Sequence, residues 1–164
     1  MLTNQSLCNR ALYTLLFGLA ACGSETSGTS STAERVSSNL ENRAYIVSQR
    51  SDELTVIDLE RLEIIARVPT GGAGNHMAEL SGDFKQVLVT STATDEAISV
   101  DAEKLEVTGS IPITGRPSHI SRTPDGRLFA VMAEGTNEVV FVDVAEQREM
   151  TRLGGFMTPH FMRF

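Results

Sequence analysis

The chain has 164 residues, 41% hydrophobic and 21% charged, with no tryptophan, which is the balance of one ordinary globular domain at most. Its formal net charge is −7 and no run of Lys or Arg occurs in it, so a nucleic-acid partner is not expected. A Gly-rich phosphate loop, a nucleophile elbow, an HExxH pair and a CxxC pair are all missing from the sequence, which removes the enzyme classes that depend on them.

In chain order, the first predicted element is not part of a fold. Ala11 to Ala21 reads ALYTLLFGLAA, an apolar run behind Arg10. It falls short of the roughly 20 residues that cross a bilayer and suits the h-region of a signal peptide. The run closes on Leu19-Ala20-Ala21-Cys22, then Gly23 and Ser24, which resembles a bacterial lipobox. In such a box small residues fit the signal peptidase and the cysteine thiol takes the diacylglyceryl group. Arg10 is the only basic side chain ahead of the run, and Asn4, Gln5 and Ser6 stand where lysines usually do. Residues 1–21 are therefore expected as a lipoprotein signal peptide, with Cys22 as the lipidation site. That makes the membrane a partner through the lipid anchor and places the protein outside the cytoplasm, in the periplasm or at the cell surface. Cys8 leaves with the signal, so no free thiol remains for thiol catalysis, a cysteine-zinc site or c-type haem attachment. Residues 22–42, rich in Ser, Thr, Gly and charge, read as a flexible tether.

From residue 43 to 164 the chain repeats. Asp58, Asp101 and Asp143 close the runs LTVID, AISVD and VVFVD at intervals of 43 and 42 residues. The histidines keep a similar beat, with His76, His119 and His160 at intervals of 43 and 41. Shifted by 43, Asp52-Glu53 falls on Asp95-Glu96, Leu62-Glu63 on Leu105-Glu106, Pro69 on Pro112 and Gly72 on Gly115. Each unit reads as four antiparallel strands. In the last full unit these are Ile120 to Thr123, Leu128 to Ala133, Val139 to Asp143 and Arg148 to Leu153, with Pro124-Asp125-Gly126 and Gly135-Thr136-Asn137 as turns. Four strands in about 42 residues is the size of one β-propeller blade. The fold class is all-β.

The segments Tyr45-Ile46-Val47-Ser48, Leu54-Thr55-Val56-Ile57-Asp58, Arg116-Pro117-Ser118-His119 and Thr123-Pro124-Asp125-Gly126 resemble the YVTN-type β-propeller repeat, within the wider WD40-like group. The resemblance covers about residues 44 to 164. It departs at Leu80-Ser81-Gly82-Asp83, where a PDG turn belongs, and at Ser99 inside a strand. It implies a scaffold of extracytoplasmic proteins, related in shape to the propellers of nitrite reductase, nitrous oxide reductase and quinoprotein amine dehydrogenases. Closed rings hold about 4 to 8 blades, so about three blades predict an incomplete ring, the piece of a longer propeller or one that self-associates to close.

The aspartates that close the third strands are expected to accept backbone N–H groups across the turn, and Glu53, Glu96 and Glu138 to be solvated turn residues. The histidines are the one constellation with site chemistry. At one repeat position just before the innermost strand, they would face one another at a channel mouth. Each could tie backbone or an aspartate within the blades, or the three could hold a transition metal or a haem. Met77, Met157 and Met162 lie nearby as soft ligands or as core filling. The function expected first is a non-catalytic scaffold that binds a protein or small-molecule ligand, with no cofactor. The alternative is the propeller part of a periplasmic redox or metalloenzyme.

Overall fold

The computed structural model describes residues 40–164. The expected signal peptide, Cys22 and all but the end of the expected tether lie outside these residues. That end is fixed in place. Leu40–Asn42 forms a short 3-10 turn, the Asn42 carbonyl accepts from the Leu59 N–H at 2.8 Å, and its amide donates to Glu60 at 2.6 Å.

Eleven strands follow, in three antiparallel sheets. The first sheet holds β1 (Arg43–Ser48), β2 (Glu53–Asp58) and β3 (Glu63–Pro69). The second holds β4 (Asn75–Leu80), β5 (Gln86–Ser91), β6 (Glu96–Asp101) and β7 (Glu106–Pro112). The third holds β8 (Pro117–Arg122), β9 (Leu128–Ala133), β10 (Glu138–Asp143) and β11 (Arg148–Leu153). Within each sheet the spatial order of the strands is their order in sequence. The sheets fit part of a propeller ring, as the repeat predicted, with β1 entering as the second strand of its unit. Among the described residues no helix is long and apolar enough to cross a membrane.

The strand sequences follow from what lies on each side of them. QVLVTS in β5 and LFAVMA in β9 are buried on both faces: β5 lies between the first and third sheets, and β9 between the second sheet and the segment that carries Met162. Leu54 and Val68 of the first sheet pack on Val87, Val89, Ile98 and Val100 of the second. The other face of the second sheet, with Leu88, Ile111 and Ile113, packs on Ile120, Phe129, Val131, Val140 and Val142 of the third. The outermost strands β3, β7 and β11 are largely exposed and carry charge, which blunts their free edges. On the far side of the third sheet Met132, Val139, Phe141, Leu153, Phe156, Met157, Phe161 and Met162 line an apolar groove of about 330 Å³.

The turns repeat as closely as the strands. Asp58 accepts from the N–H groups of Glu60 and Arg61 at 2.9 and 3.0 Å, and Asp101 from those of Glu103 and Lys104 at 2.9 and 2.8 Å. Asp143 accepts from Glu146 at 3.1 Å, so the aspartates take the expected turn role. Both departures from the repeat find a place. In Ser81-Gly82-Asp83 the Ser81 hydroxyl donates to Asp83 at 2.7 Å and accepts from the Gln86 N–H at 2.9 Å. Thr123 does the same with Asp125 at 2.5 Å and the Leu128 N–H at 3.0 Å, so one turn architecture serves both units. Ser99, fully buried, accepts from the Gln147 side chain of the next sheet at 3.0 Å. The glutamates expected as solvated turn residues stay partly exposed but begin strands, and each has a partner. Glu138 pairs with Arg152 at 2.9 Å and Glu53 with Arg67 at 3.7 Å across to the outer strands, while Glu96 accepts from Thr94 at 2.6 Å.

Candidate functional site on the inner strands

The inner strands begin with a bulge. Asn75 pairs with Ser91 and Ala78 with Val89, so β4 spends three steps where β5 spends two. Pro117 with Ala133 and Ile120 with Val131 show the same slip in β8. The extra residue re-aims the side chains beside it. His76 and His119 sit on these two bulges, inside the strands rather than just before them. The pairing also corrects the sequence alignment of the histidines. Asn75 and Pro117 are equivalent, 42 residues apart, so His76 corresponds to Ser118 and His119 to Met77. An unbroken strand would turn two such positions to opposite faces. Here the bulge brings both rings to one side.

A second repeated device holds the approach to the bulge. Asp52, Asp95 and Asn137 share a left-handed backbone, with φ of 51°, 54° and 60°. Each side chain accepts a 2.8 Å bond from a backbone N–H across the loop, respectively from Gly74, Arg116 and Thr158. Asp and Asn tolerate this conformation, which explains their choice here. Thr158 precedes His160 by two residues as Gly74 precedes His76, so His160 falls at the position of His76. Asn137 also supplies an internal control for the device. Asp95→Asn is expected to leave stability within about 0.5 kcal/mol, whereas Asp95→Ala loses about 1–2 kcal/mol from the bond and the backbone strain together. Urea denaturation of the two variants checks this, and equal losses would exclude the loop bond as the cause.

The three imidazoles meet. The rings of His76 and His119 lie 5.0 Å apart at 65°, and those of His119 and His160 lie 4.1 Å apart at 64°. Phe161 closes on His119 at 6.1 Å. The Nδ1 atoms of His76 and His119 are buried without a hydrogen-bond partner, so neither nitrogen ties backbone or an aspartate. His160 is exposed, and its Nδ1 lies 2.5 Å from Glu134 Oε1. Ligand atoms of His119, His160 and Glu134 all fall within 4.8 Å of one another. Burial holds the His119 pKa below its ordinary value, helped by repulsion from His160 and His76 and opposed by Glu134. Hydrogen bonds from the Ser118 hydroxyl and then from His160 hold the Glu134 carboxyl below the usual range.

Glu134 escaped the sequence reading because it breaks the repeat: the pairings Ser48–Glu53, Ser91–Glu96 and Ala133–Glu138 make Gln49 and Thr92 its equivalents. The methionines divide differently from the histidines. Met77 and Met162 pack against the cores, and Met157 is 93% exposed. At the opposite ends of the inner strands, a polar cleft of about 750 Å³ runs between the turns around Asp83 and Asp125. It mixes Lys85, Arg122 and Arg127 with Asp83, Asp125, Asp143 and Glu146 and presents no single charge to a ligand.

Similarity to known proteins bears out the architecture. A family model described as YNCE-like beta-propeller matches residues 25–163. Among solved structures, hydrazine synthase of Kuenenia stuttgartiensis superposes with a TM-score of 0.69 at 18% identity, over 72% of this chain and 34% of that one. The dihydro-heme d1 dehydrogenase NirN, in complex with DHE, gives 0.63 at 21% identity over 73% and 25% of the two chains. A candidate 6-phosphogluconolactonase from Bacteroides fragilis gives 0.63 at 16% over 72% and 37%. The chain thus spans no more than 37% of the length of these structures, and the likeness is one of fold. No curated protein matches it.

Proposed function

Because the chain belongs to the YNCE-like beta-propeller family, we propose that it is a propeller scaffold held outside the cytoplasm by a lipid on Cys22. It binds its ligand where His76, His119 and His160 meet. The observation that supports a binding role is the pair of buried, unpartnered imidazole nitrogens beside an exposed third histidine. Buried polar atoms without partners are rare and cost about 1–3 kcal/mol each. Two such nitrogens stand together in this cluster.

A second reading, the propeller part of a periplasmic redox or metalloenzyme, draws on the likeness to hydrazine synthase and NirN. There the same histidines would face a haem or a metal. A saturable Soret change on adding haem, lost in His119→Ala, would favour it over the scaffold.

The anchoring is tested by expression in a bacterial host. The protein is expected in the detergent phase, with diacylglycerol and acyl chains on Cys22 by mass spectrometry, and Cys22→Ser is expected to abolish both. Cleavage elsewhere, with Cys22 unmodified, would overturn the lipid anchor.

A further inference from the structure

We propose that His119, His160 and Glu134 form a binding site for a divalent first-row transition ion, with His76 packed against His119 as a positioning residue. The proposal rests on the inner-strand end being the binding face, and it names the class of ligand.

The donor set selects the ion. Two imidazoles and one carboxylate suit zinc, copper, nickel or iron, whereas calcium and magnesium take oxygen ligands. The carboxylate disfavours an anion. Zinc bonds nitrogen and oxygen at about 2.0–2.2 Å, which sets ligand atoms about 3.3 Å apart around a tetrahedron. The three ligand atoms here all lie within 4.8 Å of one another, so the set needs a rearrangement of the order of an ångström. His160 can supply it. Its side chain is 63% exposed and lies on the segment after β11, with the Thr158 N–H held by Asn137 two residues before it. Binding would replace the 2.5 Å contact between His160 and Glu134, in which one proton now joins nitrogen and carboxylate. His119 is the fixed partner, carried on the bulge of β8 with its buried Nδ1 unsatisfied. His76 meets the His119 ring at 5.0 Å and edge-on, which fits a residue that sets the angle of that ring.

The test uses the full chain in detergent, titrated with zinc or copper(II) and with magnesium as control. Calorimetry is expected to show saturable binding of one zinc per chain, and the melting temperature to rise with zinc but not with magnesium. His119→Ala, His160→Ala and Glu134→Gln each weaken binding at least about tenfold, whereas His76→Ala, which removes a ring packed on a ligand and not a ligand itself, weakens it less than any of the three. Copper(II) resonance spectra should show coupling to two imidazole nitrogens. His160→Ala and Glu134→Gln change exposed or partly exposed side chains, so they report on the site even where His119→Ala unfolds. No saturable zinc or copper binding overturns the proposal. Three coupled nitrogens with unchanged affinity in Glu134→Gln overturn the assignment of the carboxylate and of His76. Loss of the metal site would leave the lipid on Cys22 untouched, and an unmodified Cys22 would leave the metal titration untouched, so the two readings fail separately.

Discussion

Phe129→Ala is expected to lower the free energy of unfolding by about 3–5 kcal/mol, a large share of what a domain of this size possesses. Phe129 is 2% exposed on β9, opposite Val142 of β10, within the core that joins the second and third sheets. Its ring meets the cluster that holds Leu88, Ile111 and Ile113 from the neighbouring sheet. Truncation removes the transfer energy of the ring and leaves a cavity whose walls belong to two separate sheets. Such walls can close only by moving the sheets together. Denaturant unfolding followed by circular dichroism measures the loss. A change below about 1 kcal/mol would mean that the sheets are not joined through this side chain.

Gly115→Ala is expected to cost about 2–5 kcal/mol, through two separable causes. Gly115 has φ of 111°, a backbone conformation that side chains disfavour. A methyl group there would also land on the Thr136 side chain. The backbone cannot readily swing aside, because the Gly115 carbonyl accepts a 2.8 Å bond from the Gly135 N–H. Adding Thr136→Ala should recover the steric part and leave the backbone part. The double variant is therefore expected to lie between the single Gly115→Ala variant and the wild type. Full recovery would show that the backbone carries no strain, and no recovery that Thr136 is not the obstacle.

The legible part of the fold was the part carried by local chemistry. Strand patterns, the Asp-closed turns and the interval between units all sit in short stretches of sequence, and β9 and β11 came out with the bounds expected. The histidine alignment failed at one point. The units run 43 apart as far as Pro69 and Pro112, then 42 apart from Asn75 and Pro117, because the loop through Thr70 and Gly74 is one residue longer than its successor. A fixed shift therefore matched His76 with His119, when strand pairing matches it with Ser118. No sequence pattern announced the bulges that nonetheless bring the rings together. Glu134 was invisible for the opposite reason: it belongs to one unit alone, and a search for repetition passes over whatever does not repeat.

The strand order within each sheet has a consequence for how the chain folds. Every hydrogen-bonded neighbour is the next strand along the sequence, so each sheet closes by hairpins of short reach. Hairpins of this kind form in about 1–10 μs, long before distant segments need to meet. The contacts of longest sequence separation are those between sheets, as in the core that holds Leu88 together with Val131 and Val142. The search is thus divided into local closures and then docking, and the entropy of bringing remote segments together is confined to the second stage. Substitutions within a hairpin turn should speed unfolding or slow folding by the share of that turn formed at the barrier, whereas those at Phe129 report on the docking of one sheet against the next.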